Sequence, residues 1–204
     1  MQTRSELKEA SQQRIINAAA VRLREEGLGG AAIASVMREA GLTHGAFYAH
    51  FANKNDLAIA ALRHALQENR RNWVGRLRNE SWVQRLQRLA RRYLIPQHRD
   101  RLADACALAA LASEAARAEP AFRAAYGEEL HKSLVGICAG AEATDSAPPP
   151  RLDAAQFDHA IAFMALCVGG MALSRAVADP EFSNRILQAC VAAAGRVAEP
   201  PNQT

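Results

Sequence analysis

Aromatic side chains make up only 5% of this 204-residue chain, and runs of β-branched residues are scarce. Half the residues are hydrophobic and alanine is abundant, a balance that favours helices and argues against sheets. No stretch of about 18 apolar residues runs free of charge, so no membrane span is expected. The N-terminus, Met1-Gln2-Thr3-Arg4-Ser5-Glu6, lacks an apolar segment, so no secretory signal is expected and the expected location is cytoplasmic. The four cysteines, Cys106, Cys138, Cys167 and Cys190, show no C-x-x-C spacing and no histidine at ligand distance. That excludes a recognisable zinc site, and no metal or cofactor is expected. In a reducing compartment these cysteines read as free, mostly buried thiols.

What is present begins with length and charge. A chain of 204 residues can hold one well-buried core or two small domains. Its net charge of +4 is unevenly spread. Residues 1–101 hold 18 Lys+Arg against 9 Asp+Glu, whereas residues 102–204 hold 7 against 12. Net +9 and net −5 suggest a basic half that meets a polyanion and a second half with another task.

The most informative stretch is Gly41-Leu42-Thr43-His44-Gly45-Ala46-Phe47-Tyr48-Ala49-His50-Phe51. Gly41 suits the positive φ that ends a helix, and Thr43 stands where a helix N-cap is needed. Phe47 and Phe51, four residues apart, share a face that is expected to be buried. His44, Gly45, Ala46 and Tyr48 lie off that face. Apolar anchors behind and small or polar groups in front are what a helix needs to enter a DNA major groove from a helix–turn–helix.

Around this stretch the pattern predicts helices throughout. Thr3-Arg4-Ser5-Glu6 forms a capping box, and an apolar stripe of Ile15, Ile16, Ala19, Ala20 and Leu23 precedes the breakers Gly27, Gly29 and Gly30. A short helix over 32–40 directs Ile33, Val36 and Met37 inward. Asn53, with Asp56 three residues on, caps a helix expected to reach about residue 77. Further helices are expected over 82–94, 101–118, 121–143, 153–178 and 182–198. Thr144 to Arg151, with Pro148-Pro149-Pro150, reads as a loop, and the tail from Pro200 as frayed. Asp153-x-x-Gln156 and Asp179-Pro180-Glu181 are restart signals.

The run Ile33-Ala34…Ala40-Gly41-Leu42-Thr43-His44-Gly45-Ala46-Phe47-Tyr48-Ala49-His50-Phe51…Lys54…Leu57 resembles the N-terminal DNA-binding domain of TetR-type (TetR/AcrR) transcriptional regulators. The resemblance implies an all-α fold of about nine helices. It implies a three-helix helix–turn–helix domain over 1–56, with its motif at about 32–51, and a helical ligand-binding and dimerisation domain over 57–204. It implies a non-enzymatic repressor that binds a palindromic operator as a homodimer and is released by a small molecule or electrophile. The DNA contacts it points to are Thr43, His44, Gly45, Ala46, Tyr48, His50 and Lys54. Thr43 suits a phosphate at a helix N-terminus, Ala46 a thymine methyl, and Tyr48, His50 and Lys54 the backbone phosphates. Where the family often has Ser or Thr at the start of its second helix this chain has Gly30-Ala31-Ala32, so a side-chain cap is missing there. Arg4, Lys8 and Arg14 could add phosphate contacts from a flexible arm.

In the same family two C-terminal helices build a four-helix dimer interface. Here these correspond to about 153–178 and 182–198, which carry Phe157, Ile161, Met164, Leu166, Val168, Met171 and Gly169-Gly170. Trp82, Cys106, Phe122, Tyr126, Phe163 and Cys167 are the candidate lining of a ligand pocket, each also readable as plain core. Cys106, with Arg99 and Arg101 nearby in sequence, is also a candidate sensor thiol. Two other readings remain open. One is a helical protein–protein adaptor with a purely structural helix–turn–helix. The other is a thiol enzyme at Cys106, for which the sequence offers no convincing base.

Overall fold

The computed structural model describes residues 3–30, 32–145 and 150–198. Ala31, Pro148, Pro149 and the tail from Pro200 lie outside the described residues. Nine α-helices and no strands occur among the described residues. They are α1 (Arg4–Gly30), α2 (Ile33–Glu39), α3 (Lys54–Asn69), α4 (Trp82–Tyr93), α5 (Pro96–Asp100), α6 (Ala107–Ala115), α7 (Pro120–Ala139), α8 (Ala154–Ala176) and α9 (Pro180–Ala194). Short 3₁₀ helices lie at His44–Ala49, Leu102–Asp104, Ala141–Asp145 and Arg196–Ala198.

The chain forms two compact units that do not follow chain order: Met1–Gln67 with Leu102–Glu129, and Glu68–Arg101 with Leu130–Thr204. Two of the boundaries fall inside α3 and α7.

In the first unit the capping box holds: Thr3 N–H donates to Glu6 Oε2 at 2.7 Å, and Glu6 N–H to Thr3 Oγ1 at 3.2 Å. α1 is therefore helical from Arg4, and Arg4 and Lys8 belong to a helix rather than a flexible arm. Ile15, Ala19, Ala20 and Leu23 form its buried stripe, and α1 packs against α2 and α6. Gly27, at φ +71°, kinks α1 before its last residues. Ala32 at the start of α2 makes no side-chain cap, as the alanine there implied. Asn53 Oδ1 accepts the Asp56 N–H at 2.9 Å, and the Asn53 amide donates to Asp56 Oδ2 at 3.1 Å. α3 then buries Leu57, Ala58, Ala61, Leu62, Ala65 and Leu66, a helical repeat of small and branched residues.

In the second unit, the helix expected to reach residue 77 ends earlier. α3 passes into a π turn over Arg70–Val74, and Gly75 at φ +62° terminates it. Trp73 belongs to that turn, its Nε1–H donating to Leu89 O at 2.9 Å and its ring stacked on Phe163 at 6.3 Å. Ser81 and Gln84 form a capping box at α4. Arg85 is buried, and its guanidinium donates to the carbonyls of Ile137 at 2.6 Å and Gly136 at 3.1 Å. A cation there meets the negative end of α7. Asp153 caps α8 through the Gln156 N–H at 2.8 Å, and Asp179 caps α9 through the Glu181 N–H at 3.0 Å.

α8 packs along α9. A Cβ on Gly170 would lie 2.6 Å from Cys190 Sγ, so glycine is what permits the approach. α8 is long and apolar enough to cross a membrane by length and composition alone, although Asp158 and Arg175 bound its uncharged run at 16 residues, as the sequence implied. Its packing along α9 and its Asp158, His159 and Arg175 fit a helix of the folded core.

The single helix expected over 101–118 is interrupted. α5 ends at Asp100, a 3₁₀ turn spans Leu102–Asp104, and α6 starts only at Ala107. Cys106 is thus the N-cap of α6 rather than part of its first turn, with extended backbone at φ −69°, ψ 121°.

Candidate nucleic-acid interface

α2 ends in a Schellman turn. Leu42 N–H donates to Met37 O at 2.9 Å and Gly41 N–H to Arg38 O at 3.1 Å, with Gly41 at φ +66°. Glycine is the residue that takes this conformation without strain. Thr43 follows in extended conformation at the N-cap position, but its hydroxyl makes no cap hydrogen bond; the helical turn starts instead from its carbonyl, which accepts the Ala46 N–H at 3.1 Å. The segment His44–Ala49 is 3₁₀ rather than α. The chain regains an i+4 bond only at Phe51 N–H to Phe47 O, 3.0 Å.

The two faces are sharply divided. Phe47 is fully buried and Phe51 nearly so, while Tyr48 between them is 64% exposed. Phe47 and Tyr48 meet edge to face at 5.2 Å and 87°, and the His44 and Tyr48 rings at 6.1 Å and 66°. The buried phenylalanine thus props the tyrosine outward, and the tyrosine steadies the histidine. Thr43, His44, Gly45 and Lys54 are exposed, and Ala46 and His50 half-buried. A Cβ at Gly45 would meet no atom within 4 Å, so nothing inside the fold calls for glycine there.

His50 Nδ1 is buried without a hydrogen-bond partner. Burial, and next the Lys8 ammonium, hold its imidazole below the usual histidine range. Lys8 therefore acts on the end of the segment His44–Ala49, a neighbourhood invisible from their separation in sequence. Arg14 likewise stands by the turn, its Nη1 3.9 Å from where a Gly41 Cβ would be. Arg22, by its spacing only a charged position off the apolar stripe, has a structural task. Its guanidinium donates to Gly30 O at 2.8 Å, Glu26 at 2.6 Å and Glu39 at 2.5 Å, joining α1 to the end of α2. A cation flanked by glutamates at i+4 and in a nearby helix is the signal that could have found it.

The ligand-pocket candidates fall into two groups. Cys106, Phe122 and Tyr126 belong to the first unit. Cys106 is fully buried, and Tyr126 Oη donates to Leu108 O at 2.8 Å. Burial, followed by the Cys106 thiol, raises the phenol well above its ordinary value. Trp82, Phe163 and Cys167 belong to the second unit, where Phe163 and Cys167 are fully buried. Trp82 keeps a buried Nε1–H without an acceptor. The second unit also carries an apolar groove of about 380 Å³ lined by Leu94, Pro96, Asn184, Leu187, Gln188 and Val191, which none of the six candidates lines. No group of metal-ligating side chains occurs among the described residues.

Residues 15–61 match the profile of bacterial regulatory proteins of the tetR family. Among solved structures, the chain resembles NemR of E. coli in its reduced form, at 14% identity and a TM-score of 0.71, covering 94% of this chain and 99% of that one. A TetR-family transcriptional regulator from Cytophaga hutchinsonii matches at 21% identity and a TM-score of 0.65, covering 97% and 96%. A TetR transcriptional regulator from Chloroflexus aurantiacus matches at 22% and 0.65, covering 97% of each chain. No curated protein matches the sequence significantly.

Proposed function

We infer that this chain, which carries a TetR-family DNA-binding domain on a TetR-family helical fold, is a transcriptional regulator acting as a repressor. In this reading residues 1–56 recognise operator DNA, and residues 57–204 bind an effector and a second copy of the chain in the cytoplasm. The observation that carries it is the division of the segment 43–51 into a buried Phe47–Phe51 anchor and an exposed His44–Tyr48 face. Gly45, free of any internal packing demand, lets backbone approach DNA, and Ala46 offers a methyl to thymine. Thr43, Tyr48, His50 and Lys54 meet phosphates and set the register.

The dimer runs through α8 and α9. Ile161 and Leu173 on α8 and Phe182 on α9 are large apolar side chains left in solvent by the single chain. A two-fold dimer places its recognition segments in successive major grooves, roughly 34 Å apart, and so reads a palindrome. An effector that binds only one conformation of the dimer shifts it away from that spacing. The effector is read as a non-covalent, largely apolar molecule, because reaction of an electrophile at Cys106 requires the first unit to open around a fully buried thiol.

Selection of bound DNA from a random pool tests the reading. The chain should enrich a two-fold-symmetric site. Tyr48→Ala and Lys54→Ala should each weaken binding. Lys54→Ala should also flatten the plot of log affinity against log salt by about one unit, the effect of leaving one phosphate without its cation. Failure to enrich any sequence, or variants with unchanged affinity and salt slope, defeats it.

A further inference from the structure

The kink in α1 carries an interaction that neither the helix nor the family resemblance calls for. At Gly27 the backbone leaves helical conformation with φ +71° and ψ −163°. The Leu28 N–H beyond it donates to Glu114 Oε2 on α6 at 2.8 Å. The carboxylate lies over the bare Cα of Gly27, where a Cβ would come within 2.1 Å of Glu114 Oε1. The φ calls for glycine, and a Cβ there would push the carboxylate away from the Leu28 amide.

Beyond the kink, the carbonyl of Gly30 accepts from Arg22 Nε at 2.8 Å, and the same guanidinium grips Glu39 in the last turn of α2. α2 leads through the Gly41 turn into His44–Ala49. An unbroken series of polar interactions and short backbone links therefore joins Glu114 to the recognition segment, all within one compact unit.

We propose that Glu114 is a positioning residue for DNA recognition: its carboxylate, closed over Gly27 and capping the Leu28 amide, sets the bend of α1 from which α2 and the recognition segment are hung. The proposal rests on the DNA-binding reading above. α6 thereby acquires a direct hold on the pose of the interface, although Glu114 itself touches no DNA. Without the clasp the kink is free, so Tyr48 and Lys54 no longer reach their phosphates together.

The probe is the DNA site that the wild-type chain enriches from a random pool, bound over a range of salt concentrations. Glu114→Ala removes the acceptor. Glu114→Asp keeps the charge but shortens the reach, and guards against a folding defect in the alanine variant. Glu114→Gln keeps an acceptor oxygen at full length. The expected result is binding about tenfold weaker in the Ala and Asp variants, with a salt slope shallower by about one or more, and binding within about threefold of wild type for Gln. Leu28 amide exchange should speed up in the Ala and Asp variants while the Ala19 amide in the body of α1 stays protected.

A smaller fraction of folded molecules lowers the active concentration without changing the slope, and that outcome overturns the proposal. So does wild-type affinity in both short variants, failure of Gln to rescue, or unchanged Leu28 exchange. These failures leave the DNA-binding reading standing. A wild-type chain that enriches no DNA at all removes that reading and this proposal together.

Discussion

Phe47 and Phe51 stack with their ring centroids 5.8 Å apart and their planes 29° from parallel, and together they anchor the His44–Ala49 segment in the first unit. Phe47 is wholly buried, so truncating it removes a ring from a packed core and leaves a cavity. Phe47→Ala should cost about 3–5 kcal/mol of stability, read from urea unfolding, and should abolish DNA binding with it. Tyr48→Ala, on the exposed face, should change stability little while affecting DNA. Equal destabilisation in the two variants would contradict the division of faces.

His50 supplies a pH dependence. Burial and Lys8 hold its pKa below the ordinary histidine value, so the ring is neutral near pH 7 in the free chain. A DNA phosphate nearby favours the protonated ring. DNA affinity should therefore rise as pH falls below about 6.5, and His50→Gln should flatten that rise in a titration of binding between about pH 5.5 and 8.

His98 acts on stability instead. Burial lowers its pKa; the Tyr93 carbonyl, 2.7 Å from Nδ1, pulls the other way, and Arg175 lowers it further. As pH drops through the ordinary histidine value near about 6.5, the unfolded chain takes up this proton before the folded one does. The stability tied to His98 is thus present above that value and declines as pH falls from it toward the lowered folded pKa. The urea midpoint should decline from about pH 7 toward pH 5, with a smaller decline in His98→Gln.

Gly170→Ala tests the α8–α9 packing. The added methyl must enter space held by Cys190 Sγ, 2.6 Å away, and should destabilise by about 1–3 kcal/mol. Cys190→Ala in the same chain should restore part of that stability. A double-mutant cycle without coupling would show that the two residues do not share this space.

The cysteines should differ in reactivity. Cys106 and Cys167 are buried, so native-state alkylation at about pH 8 should leave both unmodified. Cys138 and Cys190 are partly accessible, but burial raises both thiols, Cys138 to about 11, so they should react slowly. Fast modification of Cys106 in the folded chain would argue for a sensor thiol.

The basic excess of the first half does not sit where the recognition segment does. Residues 1–56 carry 7 Lys+Arg against 6 Asp+Glu, barely basic, while residues 68–101 carry 10 against 3. Several of those arginines serve the fold: Arg85 holds the carbonyls at the end of α7, Arg88 is paired with Glu80, and Arg99 is bound to Ser183 and Asn184. Summed charge cannot distinguish a cation aimed at a polyanion from one engaged at a helix terminus.

Local rules were enough for the all-helical class, the caps at Thr3, Asn53, Asp153 and Asp179, the Gly41 turn and the burial of Phe47 and Phe51. Each depends on residues within about five positions of one another, where backbone geometry alone sets who meets whom. Tertiary packing decided the rest. It put a 3₁₀ turn where an α-helix was expected, split the helix before Cys106, and drew Lys8 to His50 and Glu114 to Gly27. Those partners lie 42 and 87 positions apart, and no periodicity pairs residues over that distance until the helices between them have packed.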